Sequence, residues 1–154
     1  MKKKPLNYIE LLTKEYKKTG DDSKIKALAK RFEERNEISD SLELYNVLED
    51  KETIEKIVTK NFVETSALYS DSHTLFDKWD IKLTQEKWNQ RGDYQLEIAE
   101  IYKEKTKKWS SKMDSWDKKQ IMDFYKNALE AYQQSRNEKN VQIVLDKILN
   151  EELK

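Results

Sequence analysis

Apolar residues in this chain recur three and four positions apart, in short runs separated by small polar residues, which is the period of helices that bury one stripe. Ile9, Leu12 and Tyr16 form the first run, with Pro5 suited to a first helical position and Gly20 to the residue just past the end. Asp21, Asp22 and Ser23 supply caps for a second helix whose Ile25, Leu28, Ala29 and Phe32 fall at i, i+3, i+4 and i+7. A third helix starts at Ser39 or Ser41 and carries Leu42, Tyr45 and Leu48. Asp50 caps a fourth with Ile54, Ile57, Val58 and Phe62.

Farther along, Ser70, Asp71, Ser72 and His73 read as the least structured connection, after which Leu75, Phe76 and Trp79 resume a helical face. Thr84 begins a helix holding Trp88, which Gly92 is expected to end before Leu96, Ala99 and Tyr102 form a separate stripe with a charged tail from Lys103 to Lys108. Trp109, Ser110, Ser111 and Asp114 mark a break. Ile121, Tyr125, Ala128, Leu129 and Tyr132 make the next face, and Asn137 caps a last helix with Val141, Val144, Leu145 and Ile148. Seven or eight helices in 154 residues are short ones, marginal alone and dependent on packing.

The runs repeat. Nine positions after Tyr16, Tyr45 and Tyr132 stand Ile25, Ile54 and Val141; twelve after come Leu28, Ile57 and Val144, and thirteen after, Ala29, Val58 and Leu145. An aromatic near the end of one helix, a polar turn and an apolar stripe on the next let two helices close as an antiparallel hairpin, and stacked hairpins bury what one cannot. Ala128-Leu129-Glu130-Ala131-Tyr132 running into Val141 and Val144-Leu145, together with Gly92-Asp93-Tyr94 followed by Ala99 and Tyr102, resembles the tetratricopeptide-like helical repeats over two thirds of the chain. That resemblance implies stacked antiparallel hairpins and a groove that grips a peptide or a helix of another protein. The first two hairpins are 29 residues apart (45 − 16), against about 34 in the family, and no Pro closes a repeat, so an irregular helical bundle stands as the alternative architecture.

Composition narrows the picture to an all-α chain. Two Gly and one Pro are too few for the turns of an all-β fold. Apolar residues make up 36%, below the usual share of about 45 to 50%, so the core must be thin. Four Trp, eight Tyr and four Phe offset this, since each buried aromatic removes roughly 150 to 250 Å² from water. The length suits a single helical-repeat domain over residues 1–154. Charge balances at 30 basic and 30 acidic residues, yet residues 1–36 carry 11 basic and 6 acidic groups while 37–65 carry 3 and 8. Lys2, Lys3 and Lys4 are followed by Asn7, Glu10, Lys14 and Glu15 where a signal peptide would be apolar, and no stretch is apolar enough to span a membrane, which points to the cytoplasm.

The chemistry of catalysis is missing from the pattern. There is no Cys, the single histidine, His73, sits in a polar run, and acidic neighbours such as Asp21 with Asp22 suit capping better than acid–base work. Gly20 and Gly92 are too far apart for a phosphate loop. We therefore expect no enzyme, no catalytic residue, no metal site and no cofactor. Lys103, Lys105, Lys107, Lys108, Trp109 and Lys112 mix cations with a stacking ring as nucleic-acid binders do, but Glu104, four Arg in all and the neutral total argue against that reading. Trp79, Trp88, Trp109 and Trp116 cluster in the middle of the chain. A small core claims large rings for volume, whereas Trp109 and Trp116 beside the expected break are the candidates for partly exposed partner-binding residues. The expected function is a protein–protein interaction module, an adaptor or assembly factor; the alternatives are a self-assembling homo-oligomer and, last, a nucleic-acid binder.

Overall fold

A computed structural model describes the backbone of residues 7–65, 69–109 and 115–153, and the side chains of all of these except 69–73, 108 and 109. Eight helices and no strand occur among the described residues: α1 (Tyr8–Thr19), α2 (Ser23–Glu34), α3 (Ile38–Val47), α4 (Lys51–Glu64), α5 (Tyr69–Lys78), α6 (Gln85–Trp109), α7 (Ser115–Gln134) and α8 (Glu138–Glu152). None of them is long and apolar enough to cross a membrane. The chain divides into two compact units, Met1–Ile57 and Val58–Lys154.

In the first unit Ile25, Ala29 and Phe32 of α2 meet Leu44 of α3, and Ile9, Leu12 and Tyr16 of α1 pack against that cluster. Asn7 caps α1 by accepting from the Glu10 amide at 2.8 Å, so the described helix starts after Pro5, which lies outside the described residues. α3 opens at Ile38, ahead of the serines expected to start it. Ser41 is buried within the helix, its hydroxyl donating to the Ile38 carbonyl.

The second unit is built on α6, α7 and α8, whose Ala99, Ile121, Tyr125, Ala128, Tyr132 and Val144 form one buried cluster. Cross-links fix how the helices run. Tyr102 donates to Asp117 (3.0 Å), Tyr125 to Glu100 (3.0 Å), Asn127 to Gln95 (3.3 Å) and Asn137 to Asn89 (2.8 Å), an order that makes α6 and α7 antiparallel. Lys147 with Glu100 (2.8 Å) and Lys103 with Glu151 then set α8 alongside α6 in the same direction.

Two sequence expectations are corrected here. Ser70 to His73 lies within α5 and is not an unstructured connection; Ser and Asp are what the first turn of a helix favours, because its amides lack intrahelical acceptors and its end carries positive potential. Gly92 does not end a helix: α6 passes through it for 25 residues, so Trp88, Gln95, Ala99 and Tyr102 share one face. A Cβ at Gly92 would lie 2.6 Å from the Tyr132 ring, so the missing side chain admits that ring and brings its hydroxyl onto Asp93. Of the break expected at Trp109, Ser110, Ser111 and Asp114, Trp109 is the last residue of α6 and the other three lie outside the described residues.

One local device recurs. Gly20, Asn36, Glu49, Asp80 and Arg136 are the described residues of positive φ, and each stands four positions after an aromatic: Tyr16, Phe32, Tyr45, Phe76 and Tyr132. Gly20 donates directly to the Tyr16 carbonyl at 2.8 Å. At the other four the next residue donates to the aromatic's carbonyl at 2.9 to 3.0 Å, and the left-handed residue donates to the carbonyl three back, a Schellman closure. The donor after the left-handed residue often opens the next helix as well. Asp50 donates its amide to Tyr45 and accepts from the Thr53 amide (3.1 Å) and hydroxyl (2.7 Å); Asn137 donates to Tyr132 and accepts from Asn140 (3.2 Å).

Replacing Glu49 by Gly should raise stability in urea by up to about 1 kcal/mol, because a left-handed L-residue is strained by roughly that much. Gly92→Ala should do the reverse. Its helix propensity gains about 1 kcal/mol, but overpacking against the Tyr132 ring costs about 1 to 3 kcal/mol; a stabilised variant would show that the ring can give way.

Candidate functional site

The four tryptophans separate in the structure. Trp88 is buried, its ring edge-on to Phe62 at 4.9 Å, and Phe62 meets Phe76 in the same T-shaped manner at 5.2 Å. Trp79 is half-buried under the Lys78 ammonium, 5.2 Å from the ring centre. The side chain of Trp109 lies outside the described ones. Trp116 is 60% exposed.

Trp116 stands in the first turn of α7, where the helix emerges beside the end of α6. Its ring leans on Tyr102 of α6 at 6.5 Å and 56°, and Tyr102 in turn contacts Phe124 one face over at 6.3 Å. The Tyr102 hydroxyl is held by Asp117, so the ring beneath Trp116 is fixed in place. The result is an aromatic ledge with one large apolar face open to solvent, backed by side chains that cannot swing away. Lys118 and Lys119 follow it on α7 and are likewise exposed. Sequence reasoning singled out Trp116 but not Tyr102 or Phe124, whose helical stripes look like ordinary core.

The charged tail of α6 is only in part a cationic surface. The Lys103 ammonium turns inward to Glu151, both side chains being largely covered, while Lys105 and Lys107 stay exposed. Glu100 feels opposing influences: burial pushes its carboxyl up, but hydrogen bonds from Lys147 and Tyr125 outweigh this and hold it below the usual carboxylate range. The Tyr125 and Tyr132 phenols are driven well above their ordinary value, first by burial and then by Glu100 and Asp93 respectively. In the first unit burial, together with the hydrogen bond its hydroxyl donates to the Glu33 carboxylate, pushes Tyr45 up to about 12.

A buried polar cluster in the second unit escaped the sequence altogether. The Arg91 guanidinium donates through Nη1 to the carbonyls of Phe62 and Thr65 (2.5 and 2.8 Å) and lies 5.2 Å from the Phe62 ring centre. Gln95 donates to Val63 and Thr65 (3.2 and 2.9 Å) and accepts from Asn127. These carbonyls close the C-terminus of α4, where helical acceptors have no intrahelical donor and a cation is favoured by the dipole. Burial draws the Arg91 pKa down and Glu130 opposes it. The arrangement is structural: the Arg91 and Gln95 donors go to backbone carbonyls and the Gln95 oxygen to Asn127.

Two clefts are lined by charged side chains. One, of 490 Å³, is lined by Asp22, Lys26, Lys30, Tyr45, Leu48 and Asp50; the other, of 340 Å³, by residues of α7 and α8 including Lys119, Met122, Lys126 and Glu152. Among the described residues no three His, Cys, Asp or Glu side chains come together as a metal would require. No family model, no curated protein and no solved structure matches the chain.

Arg91→Leu should lower unfolding free energy by about 2 to 4 kcal/mol in denaturant titration, because it strips donors from buried carbonyls. Arg91→Lys should recover only part of the loss, since an ammonium cannot reproduce the planar fork.

Proposed function

We propose that this chain is a non-enzymatic protein-binding module, an adaptor or assembly factor, that takes a peptide or helix of another protein against the aromatic ledge at the start of α7. The observation that carries this reading is Trp116, a large ring left 60% exposed on a fixed support of Tyr102. An exposed indole on rigid backing is the kind of residue that dominates interface energetics, because its apolar area is gained on binding with little side-chain freedom to lose.

The tetratricopeptide-like reading of the architecture belongs to the same proposal. In the second unit α7 packs antiparallel to α6, and α8 runs parallel to α6 with ion pairs between them. Hairpin stacking calls for this relation between one repeat and the first helix of the next. The recurring aromatic cap supports it further, since four of its five copies turn the chain by the same local geometry. The setting in this reading is the cytoplasm.

The test is affinity capture from the native cell, comparing the unaltered chain with Trp116→Ala and with Trp109→Ala plus Trp116→Ala. One protein recovered in stoichiometric amount, and weakened about 30-fold by the Trp116 change as hot-spot truncation implies, is the expected outcome, with helical circular dichroism unchanged. Undiminished recovery with both rings removed would exclude the ledge; recovery of no protein by any form would end the adaptor reading.

A further inference from the structure

α1 and α8 each leave several apolar side chains uncovered, where α6 and α7 leave Ile101 and Trp116 singly. Tyr8 and Leu11 of α1, and Leu145 and Leu149 of α8 with Leu153 at its end, are all exposed. On α8 the three leucines stand at i, i+4 and i+8, one continuous stripe beside the face that buries Val144.

The internal ruler sets that face beside its covered counterparts. Thirteen positions after Tyr16, Tyr45 and Tyr132 the residues are Ala29 at 0%, Val58 at 1% and Leu145 at 36% exposure. Seventeen after Tyr45 stands fully buried Phe62, whereas the same place on α8 is exposed Leu149. Around Ala29 the cover is visible: α2 is followed by α3, whose Leu44 joins the Ala29 cluster with Tyr45 and Leu48 against it. On α8 the same stripe stays open among the described residues. α1 also carries an open apolar face, Tyr8 and Leu11.

Charge agrees with that pairing. After Glu151 and Lys147 are taken up by α6, the exposed ionic groups of α8 are Glu138, Asp146 and Glu152 against Lys139. On α1 they are Lys14, Lys17 and Lys18 against Glu10, with Glu15 paired to Lys24 at 2.9 Å. An acidic leucine stripe thus meets a basic helix that shows Tyr8 and Leu11.

We propose that α1 of a second copy of this chain docks through Tyr8 and Leu11 on the Leu145, Leu149 and Leu153 stripe of α8. The contact joins unlike surfaces, α8 of one copy to α1 of the next, so copies add head to tail, in a ring where the rotation closes and in an open chain where it does not. It uses neither Trp116 nor Tyr102 and stands or falls apart from the adaptor reading.

Sedimentation of the full chain across concentration tests it, with Leu145→Asp plus Leu149→Asp as one variant and Tyr8→Asp plus Leu11→Asp as the other. The unaltered protein should gain mass beyond the dimer as concentration rises, and lose it in high salt. Each variant alone should stay monomeric and helical, and an equal mixture should form a one-to-one heterodimer, because each supplies the end the other lacks. Trp116→Ala should associate like the unaltered chain. A protein monomeric at every concentration overturns the proposal. So does a Tyr8, Leu11 variant that still dimerises, which would show α8 pairing with itself, and so does a mixture that stays monomeric.

Discussion

A buried aromatic ring near the end of a short helix, with its own carbonyl closing the turn that follows, is the interaction on which the rest of this structure depends. Helices of ten to fifteen residues such as α1, α2, α3 and α8 do not hold their shape alone in water. Phe32 and Tyr132 couple the two needs: the ring supplies burial that an apolar-poor sequence otherwise lacks, and the backbone at the same residue accepts the hydrogen bond that stops the helix. At Tyr45 and Tyr132 the hydroxyl also reaches a carboxylate on the neighbouring helix, Glu33 and Asp93 respectively, and this sets the slide of one helix along the other. Such bonds are directional where burial is not.

The helices and most of their caps were legible because their signals are local. Asp50, Asn137, Gly20 and Thr84 each act within one turn of where they stand, and each is where a cap was expected. The ruler anchored on Tyr16, Tyr45 and Tyr132 found three of the five aromatic caps but passed over Phe32 and Phe76, since it followed tyrosine and not ring burial. Gly92 misled for a related reason. Glycine after a helical run signals an end when read alone, and only the ring of Tyr132, 40 residues on (132 − 92), shows that close approach is its role.

Nothing local betrays the Arg91 and Gln95 cluster, because its acceptors are main-chain carbonyls 26 to 32 residues away, and every sequence has carbonyls. The exposed surfaces divide in the same way. Trp116 was a candidate because a tryptophan beside a polar run is conspicuous by type, while Leu145 looked like one more member of a core stripe. Helical spacing gives the width of an apolar face; it does not say how many neighbours come to cover it. Leu145 and its counterparts Ala29 and Val58 share a position and differ in company.

The joints between helices have a bearing on how this chain can change over generations. Asp50 and Asn137 each finish one helix with the amide and begin the next with the side chain, so no residue is spare between the two tasks. A single added residue would turn the following helix by about 100° about its axis and carry Ile54 or Val144 from interior to solvent. Length variation in related chains would therefore gather elsewhere, and these joints would drift in letter while holding their count.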